Sequence, residues 1–287
     1  MTEPGKTGPQ AAPILFRSEL GQPAADILDG RAAPVAPRDA ATVMLLRTGP
    51  AGLEVYMLRR QASMAFAAGM SVFPGGSVDA RDADEDVAWA GPDAEQWGGV
   101  LAAPPDLARA LVCAAVRETF EESGVLLAGA TPDTVVADPT SDDWERDRNA
   151  LLDRSLSLAE LLARRHLVLR SDLLRSWSRW ITPVIEPRRY DTRFFAAALP
   201  GGQRTRDVGG EAAAVYWTGP QEALETGRRG EIALLPPTAV TLAELAACGD
   251  LDGALARVPD SGARRPEVLR RDGAAWLTVP GVSEYPL

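Results

Sequence analysis

The stretch VRETFEESGVLL, residues 116–127, constrains the fold of this chain more than any other segment. Glu118, Glu121 and Glu122 have the i, i+3 and i+4 spacing that brings side chains together on one helix face. The preceding LARALVCAAV (107–116) is mostly apolar, which predicts a helix that is largely buried. Clustered carboxylates repel each other, and on a buried helix they require a counter-charge.

The alternative interpretation is an acidic helix face in contact with water. Gly124 argues against it, because glycine ends helices and the following VLL (125–127) has the pattern of a strand. The neighbouring Arg117 supplies part of the counter-charge. A divalent cation such as Mg²⁺ or Mn²⁺ would supply the rest, since both prefer oxygen ligands.

The charge and the rare residues restrict the function. A net charge of −10 argues against nucleic-acid binding. The only histidine is His166, which argues against a Ser-His-Asp triad and a histidine-rich metal site, so we expect a catalytic base to be a carboxylate. Two cysteines allow no disulfide framework, and we find neither an apolar signal core nor a membrane-spanning run. We therefore predict a cytoplasmic protein.

The order of patterns along the chain predicts an α+β fold or a three-layer α/β/α sandwich. We expect an N-terminal arm over residues 1–38, partly flexible, and a single domain over 39–287. Alternating apolar residues predict strands at 42–47, 53–60, 192–199 and 212–218. Helical patterns cover 106–123 (with Asp106 as N-cap), 141–180 and 236–248, and a hairpin follows within 236–287.

The stretch between the second strand and the acidic helix is unusual. Pro74, Gly75 and Gly76 predict a tight turn where backbone approaches a ligand closely. Residues 80–105 are acidic and then rich in glycine and proline, which is typical of an insertion. Such an insertion is compatible with a lid over a site or with a homodimer contact, and no residue pattern separates these two roles.

These residues resemble the signature of the Nudix hydrolase family. That signature has a glycine, five residues, a glutamate, seven residues, and then Arg-Glu-apolar-x-Glu-Glu-x-Gly-apolar. RETFEESGV (117–125) matches its second half, with Thr119 in place of the usual aliphatic residue, and Gly76 matches its start. Segments such as FAAGMSVFPGGSVD and RWITPVIEPRRYDTRFFAA extend the resemblance, over roughly 40–245, to the coenzyme A diphosphatase-like subgroup.

The first half of the signature is interrupted. Gly76 and Arg117 are 41 positions apart instead of 14, so about 27 residues are inserted, and the first glutamate is absent. Asp79, Asp82 and Asp106 are the candidates to replace it, and the sequence does not choose among them. The resemblance implies a Nudix fold with a mixed sheet, a helical insertion and additional C-terminal helices.

The resemblance also implies the site residues. Glu118, Glu121 and Glu122, with the carbonyl group of Gly76, would hold one to three Mg²⁺ or Mn²⁺ ions. Arg117 would orient one glutamate through a bidentate pair. Glu118, Glu121 or a second acid would act as the base, and our candidate for that acid is Glu211, which precedes the strand carrying Trp217. The alternative role for Glu211 is a solvated turn carboxylate.

Arginines near two strands are candidates to bind the substrate's phosphates. Arg188, Arg189 and Arg193 form a local basic cluster in an acidic chain. Arg59 and Arg60 lie at the end of a strand, where one of the two would face the diphosphate. The alternative for the cluster is pairing with surface acids.

Three functions remain in competition. The first is metal-dependent hydrolysis of coenzyme A (CoA) or an acyl-CoA to 3′,5′-ADP and a phosphopantetheine product. The second keeps this chemistry and changes the substrate to ADP-ribose, a dinucleotide or a nucleotide sugar. The third is a catalytically silent Nudix protein that binds a nucleotide as a sensor. The expected partner is a small-molecule diphosphate, with no nucleic acid or membrane, and a homodimer is compatible with the sequence.

Overall fold

The computed structural model describes residues 21–62, 67–84, 86–207, 212–271 and 274–279. The apolar run ATVMLLR (41–47) lies within a long central strand. The strands, in chain order, are β1 (Arg38–Gly49), β2 (Gly52–Arg60), β3 (Met70–Val72), β4 (Gly75–Ser77), β5 (Trp89–Ala90), β6 (Ala128–Gly129), β7 (Val168–Arg170), β8 (Leu174–Ile181), β9 (Tyr190–Ala198), β10 (Ala212–Thr218), β11 (Ala233–Leu234), β12 (Ala263–Arg264), β13 (Glu267–Arg271) and β14 (Ala274–Thr278).

Eight helices accompany these strands in the described part of the chain. They are α1 (Gln22–Leu28), α2 (Ala94–Leu101), α3 (Pro105–Ser123), α4 (Asp142–Leu152), α5 (Leu158–Arg164), α6 (Pro220–Arg228), α7 (Pro236–Cys248) and α8 (Leu251–Leu255). Two short 3₁₀ turns lie at Ala80–Ala83 and Ser171–Leu173. Among the described residues no single helix is long and apolar enough to cross a membrane, whereas α2 and α3 pass that test only as a pair bent by 90°.

The main sheet is mixed and has nine strands within the described ranges. Its order is β11-β3-β2-β1-β9-β8-β12, with β10 added beside β2 and β4 beside β1. β1 pairs in parallel with β9 and antiparallel with β2 and β4. This arrangement places the short glycine strand β4 on one flank of β1 and β9 on the other. A three-stranded sheet (β5-β7-β6) and the β13–β14 hairpin complete the strands.

Alternation along β1 produces two cores. Val43 and Leu45 face a core built with α3, whereas Met44 and Leu46 face a second core built with α6, α7 and α8. Side chains of successive strand residues point to opposite faces, so an uninterrupted apolar run requires layers on both sides. The α/β/α arrangement predicted from the sequence is confirmed.

The segment 141–180 is helical only in its first half, so this prediction is wrong for the remainder. Helices α4 and α5 end before residue 165, and β7 and β8 follow. Trp177 and Trp180 are three positions apart, as on one helix face, and both are buried in the second core. A β-bulge between Ser176 and Ser178 explains the spacing, because the extra residue shifts the alternation and brings both indoles to the same face of the sheet.

Three local predictions also differ from the structure. Residues 125–127 are buried without strand pairing. The backbone N–H group of Leu126 donates to Gln203 Oε1, and its carbonyl oxygen accepts from Gln203 Nε2, both at 2.9 Å. Helix α3 has Pro104 as its N-cap, and Asp106 lies in its first turn. Gly75 and Gly76 lie in β4 rather than in a tight turn. Residues 1–20 of the predicted arm and the hairpin turn at 272–273 lie outside the described residues.

Candidate active site

The C-terminal half of α3 presents the acidic cluster. The apolar side of this helix, including Leu111, Val112 and Phe120, is buried against the sheet, so the helix face bearing the glutamates turns towards β4. The helix ends at Gly124, whose φ of 74° is left-handed and favours glycine. Thr119, which replaces an aliphatic residue of the family signature, is buried and donates its hydroxyl hydrogen to the carbonyl oxygen of Ala115 at 2.7 Å.

Gly75 and Gly76 allow the backbone of β4 to approach α3 closely. The N–H group of Gly75 donates to Glu122 Oε2 at 2.7 Å. A Cβ atom added to Gly76 would come closer than 3.0 Å to the carboxyl carbon and both oxygens of Glu118. At Gly75, an added Cβ would lie 2.5 Å from the carbonyl oxygen of Ala41 in β1. Side chains larger than glycine would therefore separate this strand from the glutamates.

Arg117 is the centre of the cluster. Its Nη1 atom lies 2.7 Å from Glu118 Oε1 and 3.2 Å from Glu121 Oε2. Its Nε and Nη2 atoms each donate to one carboxylate oxygen of Asp82 at 2.9 Å. Arg117 therefore forms the predicted bidentate pair, but its partner is Asp82 rather than a glutamate. Asp82 faces the guanidinium edge formed by Nε and Nη2, whereas Glu118 and Glu121 both contact Nη1. Nη2 also donates to the carbonyl oxygen of Ser77 at 3.1 Å.

The structure distinguishes the three acids that were candidates for the missing glutamate. Asp82 has five residues between it and Gly76, as in the family signature, and it pairs with Arg117. Asp79 instead caps the 3₁₀ turn Ala80–Ala83 and binds Arg81. Asp106 is exposed in the first turn of α3. Asp82, which lies near the start of the insertion, is therefore the acid that contacts the cluster.

Negative charge is in excess at this site. Three carboxylates, those of Asp82, Glu118 and Glu121, contact one guanidinium group. Burial raises the pKa of Glu118 to about 7 and also raises the pKa of Glu121, while Arg117 opposes both shifts. The pKa of Arg117 is raised because its hydrogen bond to Asp82 and the surrounding acids outweigh its burial.

The donor set fits a hard divalent cation in charge and chemistry, since every donor is an oxygen. The present geometry is not that of a formed metal site: within the described residues no group of three or more His, Cys, Asp or Glu side chains is arranged to hold an ion. The three carboxylates face different partners: Glu118 and Glu121 contact Arg117, whereas Glu122 accepts from the N–H group of Gly75.

The cluster opens into a large cavity of about 1140 Å³. Gly75, Gly76, Arg117, Glu118, Glu121 and Glu122 line its acidic part. A different set of elements (β8, β9, the loop between them, the start of α7 and the segment before β13) contributes an apolar part. This part includes Trp180, Ile185, Tyr190, Phe194, Leu235 and Pro266. The indole N–H group of Trp180 is buried and has no hydrogen-bond partner among the described residues. One cavity thus joins a carboxylate cluster to an apolar surface.

Four of the arginines predicted to hold phosphates do not line this cavity: they are Arg59, Arg188, Arg189 and Arg193. Arg193 is buried, and its Nη1 atom lies 2.6 Å from Asp191 Oδ1. Its neighbours in β9, Thr192 and Phe194, do line the cavity. Because successive strand side chains point to opposite faces, Arg193 points away from the cavity and pairs with acids, as the alternative interpretation held.

The same alternation applies to β2, where Arg60 lines the cavity and Arg59 is exposed. Arg189 donates to two backbone carbonyl oxygens at 3.1 Å and 2.5 Å, and Arg188 is exposed. The geometry does not support a phosphate-binding role in this cavity for Arg59, Arg188 or Arg189.

The cavity contains arginines that sequence reasoning missed. They are Arg38, Arg81 and Arg154, which line the cavity together with Arg117 and Arg60, both of which the sequence had marked as candidates. The alternation of β2 was a usable signal for Arg60, whereas nothing local marked Arg154, which follows α4. Glu211 lies outside the described residues, and its assignment stays a prediction. Ala212, the residue after it, lines the cavity.

Comparisons with known proteins agree with this geometry. A family model described as the NUDT19 Nudix domain matches residues 92–245, which is more than half of the chain. The chain is 31% identical over 235 residues to the acyl-coenzyme A diphosphatase NUDT19 of Gallus gallus, covering 69% of this chain and 62% of that protein. It is 31% identical over 227 residues to the protein of the same name from Homo sapiens, covering 65% of this chain and 58% of that protein.

These curated relatives are longer than the matched region, which spans less than two thirds of either protein. Among solved structures, a NUDIX hydrolase from Alicyclobacillus acidocaldarius is 28% identical, with a TM-score of 0.65. The match covers 78% of this chain and 98% of that structure. Similarity to this structure extends over most of the described fold.

Proposed function

This chain belongs to the Nudix family, in the group described by the NUDT19 Nudix domain, and on that premise we propose that it is a metal-dependent diphosphatase acting on CoA or an acyl-CoA. The reaction would convert the substrate to 3′,5′-ADP and a phosphopantetheine or acyl-phosphopantetheine product. The chicken and human relatives are both named acyl-coenzyme A diphosphatases, which supports the choice of substrate class.

One observation carries the proposal: a buried carboxylate cluster and an apolar surface share a single cavity. CoA combines a diphosphate with a long, mostly uncharged pantetheine arm, and an acyl-CoA extends that arm with a hydrocarbon chain. The diphosphate would lie against α3 and β4. The arm would extend over the apolar side chains of Trp180, Phe194 and Leu235, which line the cavity.

Nudix hydrolases generally use divalent metal ions, and the donors present here are suited to Mg²⁺ or Mn²⁺. We assign Glu118, Glu121 and Glu122, with the carbonyl oxygen of Gly76, as the ligands. When bound, such an ion neutralises phosphate oxygens and lowers the pKa of a coordinated water molecule.

The residues of the chain supply positioning and proton transfer. Asp82 holds Arg117, and Arg117 in turn holds Glu118 and Glu121 against β4. A carboxylate, either one of these glutamates or Glu211, accepts a proton from the attacking water, because His166 does not line the cavity. The water oxygen forms the new bond to phosphorus, and the bridging P–O bond breaks, which leaves one phosphate group on each product.

The test is hydrolysis by purified protein with Mg²⁺ or Mn²⁺, with products identified by chromatography. The substrates are CoA, an acyl-CoA, dephospho-CoA, ADP-ribose, NADH and diadenosine polyphosphates, each with wild type, Glu121→Gln and the exposed control Glu95→Gln. We expect 3′,5′-ADP from CoA with wild type and control only. Preferential cleavage of ADP-ribose or a dinucleotide would replace CoA as the assigned substrate. Nucleotide binding without any turnover would instead support the catalytically silent sensor.

Two further parts of the proposal concern the whole protein. We place it in the cytoplasm, and we expect any homodimer contact to involve residues 80–105. Size-exclusion chromatography with light scattering tests the second part. A monomer would rule out a dimer contact for residues 80–105, so that a lid over the site would be their remaining role.

A further inference from the structure

Arg154 stands at the cavity directly beyond the end of α4. Its side chain is 74% exposed and lines the cavity together with Glu118 and Glu121. Its backbone has a φ of 62°, a left-handed conformation that side-chain-bearing residues adopt infrequently. A residue held in that conformation invites a functional explanation, because glycine would occupy it with less strain.

The position of Arg154 is fixed relative to the carboxylate cluster. Arg81 Nη1 donates to the carbonyl oxygen of Arg154 at 2.9 Å. Arg81 is itself held by both carboxylate oxygens of Asp79 at 3.1 Å, and the backbone N–H group of Asp79 donates to Asp82 at 2.8 Å. Asp82 pairs with Arg117. A continuous chain of hydrogen bonds therefore runs through the 3₁₀ turn Ala80–Ala83 from the catalytic helix to the backbone of Arg154.

The side chain of Arg154 differs from those of the other two arginines in this chain of bonds. Arg117 and Arg81 both have carboxylate partners within 3.1 Å. Among the described residues, the ion pair of Arg154 is with Asp79 at 4.0 Å, and Asp79 is already engaged by Arg81.

We propose that Arg154 is a substrate-binding residue whose guanidinium contacts the phosphate oxygens of a diphosphate at the mouth of the cavity. The proposal rests on the proposed function for its substrate, and its ligand chemistry is that of a phosphate oxyanion bound by a planar guanidinium. The geometry also assigns a role to the inserted segment: its 3₁₀ turn connects the phosphate-binding arginine to Arg117.

Three variants and a matched control test the proposal. Arg154→Gln removes the charge, Arg154→Lys keeps it without the planar fork, and Arg154→Gly relieves the left-handed backbone. The control is Arg146→Gln, because Arg146 lies in α4 itself, is 73% exposed, pairs with Asp143 and does not line the cavity. Each protein is assayed for kcat and KM with CoA, for melting temperature, and by calorimetry for binding of inorganic pyrophosphate with Mg²⁺.

We expect Arg154→Gln and Arg154→Gly to raise KM and weaken pyrophosphate binding about tenfold or more, with smaller effects on kcat. Arg154→Lys should retain part of the affinity, and the control should match wild type. The melting temperature of Arg154→Gly should be equal to or above that of wild type. If the side chain of Arg154 stabilised the fold, the melting temperature of this variant would instead fall.

The outcomes separate this proposal from the proposed function. Unchanged KM and unchanged pyrophosphate binding in Arg154→Gln, with an active wild type, would overturn the role of Arg154. A wild type that cleaves no diphosphate, yet binds pyrophosphate in a manner that depends on Arg154, would overturn the hydrolase and support the binding role.

Discussion

The pair between Asp82 and Arg117 provides the sharpest prediction, because it connects the insertion to the catalytic helix. Asp82 is only 2% exposed and accepts two hydrogen bonds from Arg117 at 2.9 Å. Asp82→Asn keeps the shape, removes the charge, and places an amide N–H₂ group against one guanidinium donor. We expect loss of stability together with loss of activity.

The expected magnitude follows from the partners that remain. A hydrogen bond to a charged group contributes about 1.5–3 kcal/mol, and removing one partner of a buried ion pair costs about 3–5 kcal/mol when the other charge is left uncompensated. Arg117 retains Glu118 and Glu121, so the cost should lie near the lower range, at about 2 kcal/mol. For a chain of this size that corresponds to a fall in melting temperature of roughly 4–8 °C.

The assay compares denaturant unfolding, melting temperature and kcat with CoA. The control is Asp84→Asn, because Asp84 is an exposed acid at the end of the same 3₁₀ turn. Released from Asp82, Arg117 should shift among its glutamate partners, and a misplacement of that kind lowers kcat by about 10- to 100-fold. Asp82→Glu keeps the charge and should retain more activity than Asp82→Asn. If Asp82→Asn and Asp84→Asn behave alike in both assays, the claim that Asp82 organises the cluster is refuted.

Three further predictions follow from single contacts. Gly76→Ala should reduce kcat at least tenfold, because its Cβ atom would displace Glu118, whereas Gly99→Ala in open space on α2 should stabilise the protein by about 0.5–1 kcal/mol in thermal unfolding. Hydrogen bonds from Arg148 and Arg206 lower the pKa of Glu145 from 4.5 to about 2. The ionised carboxylate therefore adds about 1 kcal/mol, after screening by solvent, to the free energy of unfolding above pH 4.5, and this contribution is lost as the pH falls towards 2. The free energies of unfolding of Glu145→Gln and wild type should therefore converge in acid. Ile185→Ser should raise KM for a long-chain acyl-CoA more than for CoA, and equal increases would contradict an apolar arm site.

Regular elements with a clear period were predictable from the sequence. Helix α7 begins and ends where the PPTAVTLAELAAC pattern placed it, strand β10 matches its predicted range, and β2 begins one residue earlier than predicted. The failure at β8 has a physical cause: the bulge at Trp177 shifts the strand alternation, so two buried indoles acquire a helix-like spacing. Local periodicity carries no information about a bulge that only the partner strand reveals.

Part of the site was likewise predictable from the sequence, and part of it was not. Glu118, Glu121 and Arg117 lie together because they belong to one helix, and the five-residue spacing from Gly76 was a signal for Asp82. The cavity arginines come from separate elements, so their convergence depends on long-range packing. Which face of a strand or loop meets the cavity is a tertiary property, and it separates Arg60 from its neighbour in β2 and brings in Arg154 from beyond α4.

The central claim is that the α3 carboxylates perform metal-dependent hydrolysis of a diphosphate. The most direct measurement is a chromatographic time course of 3′,5′-ADP release from CoA, by wild type and Glu121→Gln, with Mg²⁺, with EDTA, and with EDTA followed by excess Mg²⁺. We predict release by wild type that stops with EDTA and returns with Mg²⁺, and a rate at least 100-fold lower for a folded Glu121→Gln protein. Release that persists in EDTA, or that is equal in both proteins, would contradict the claim.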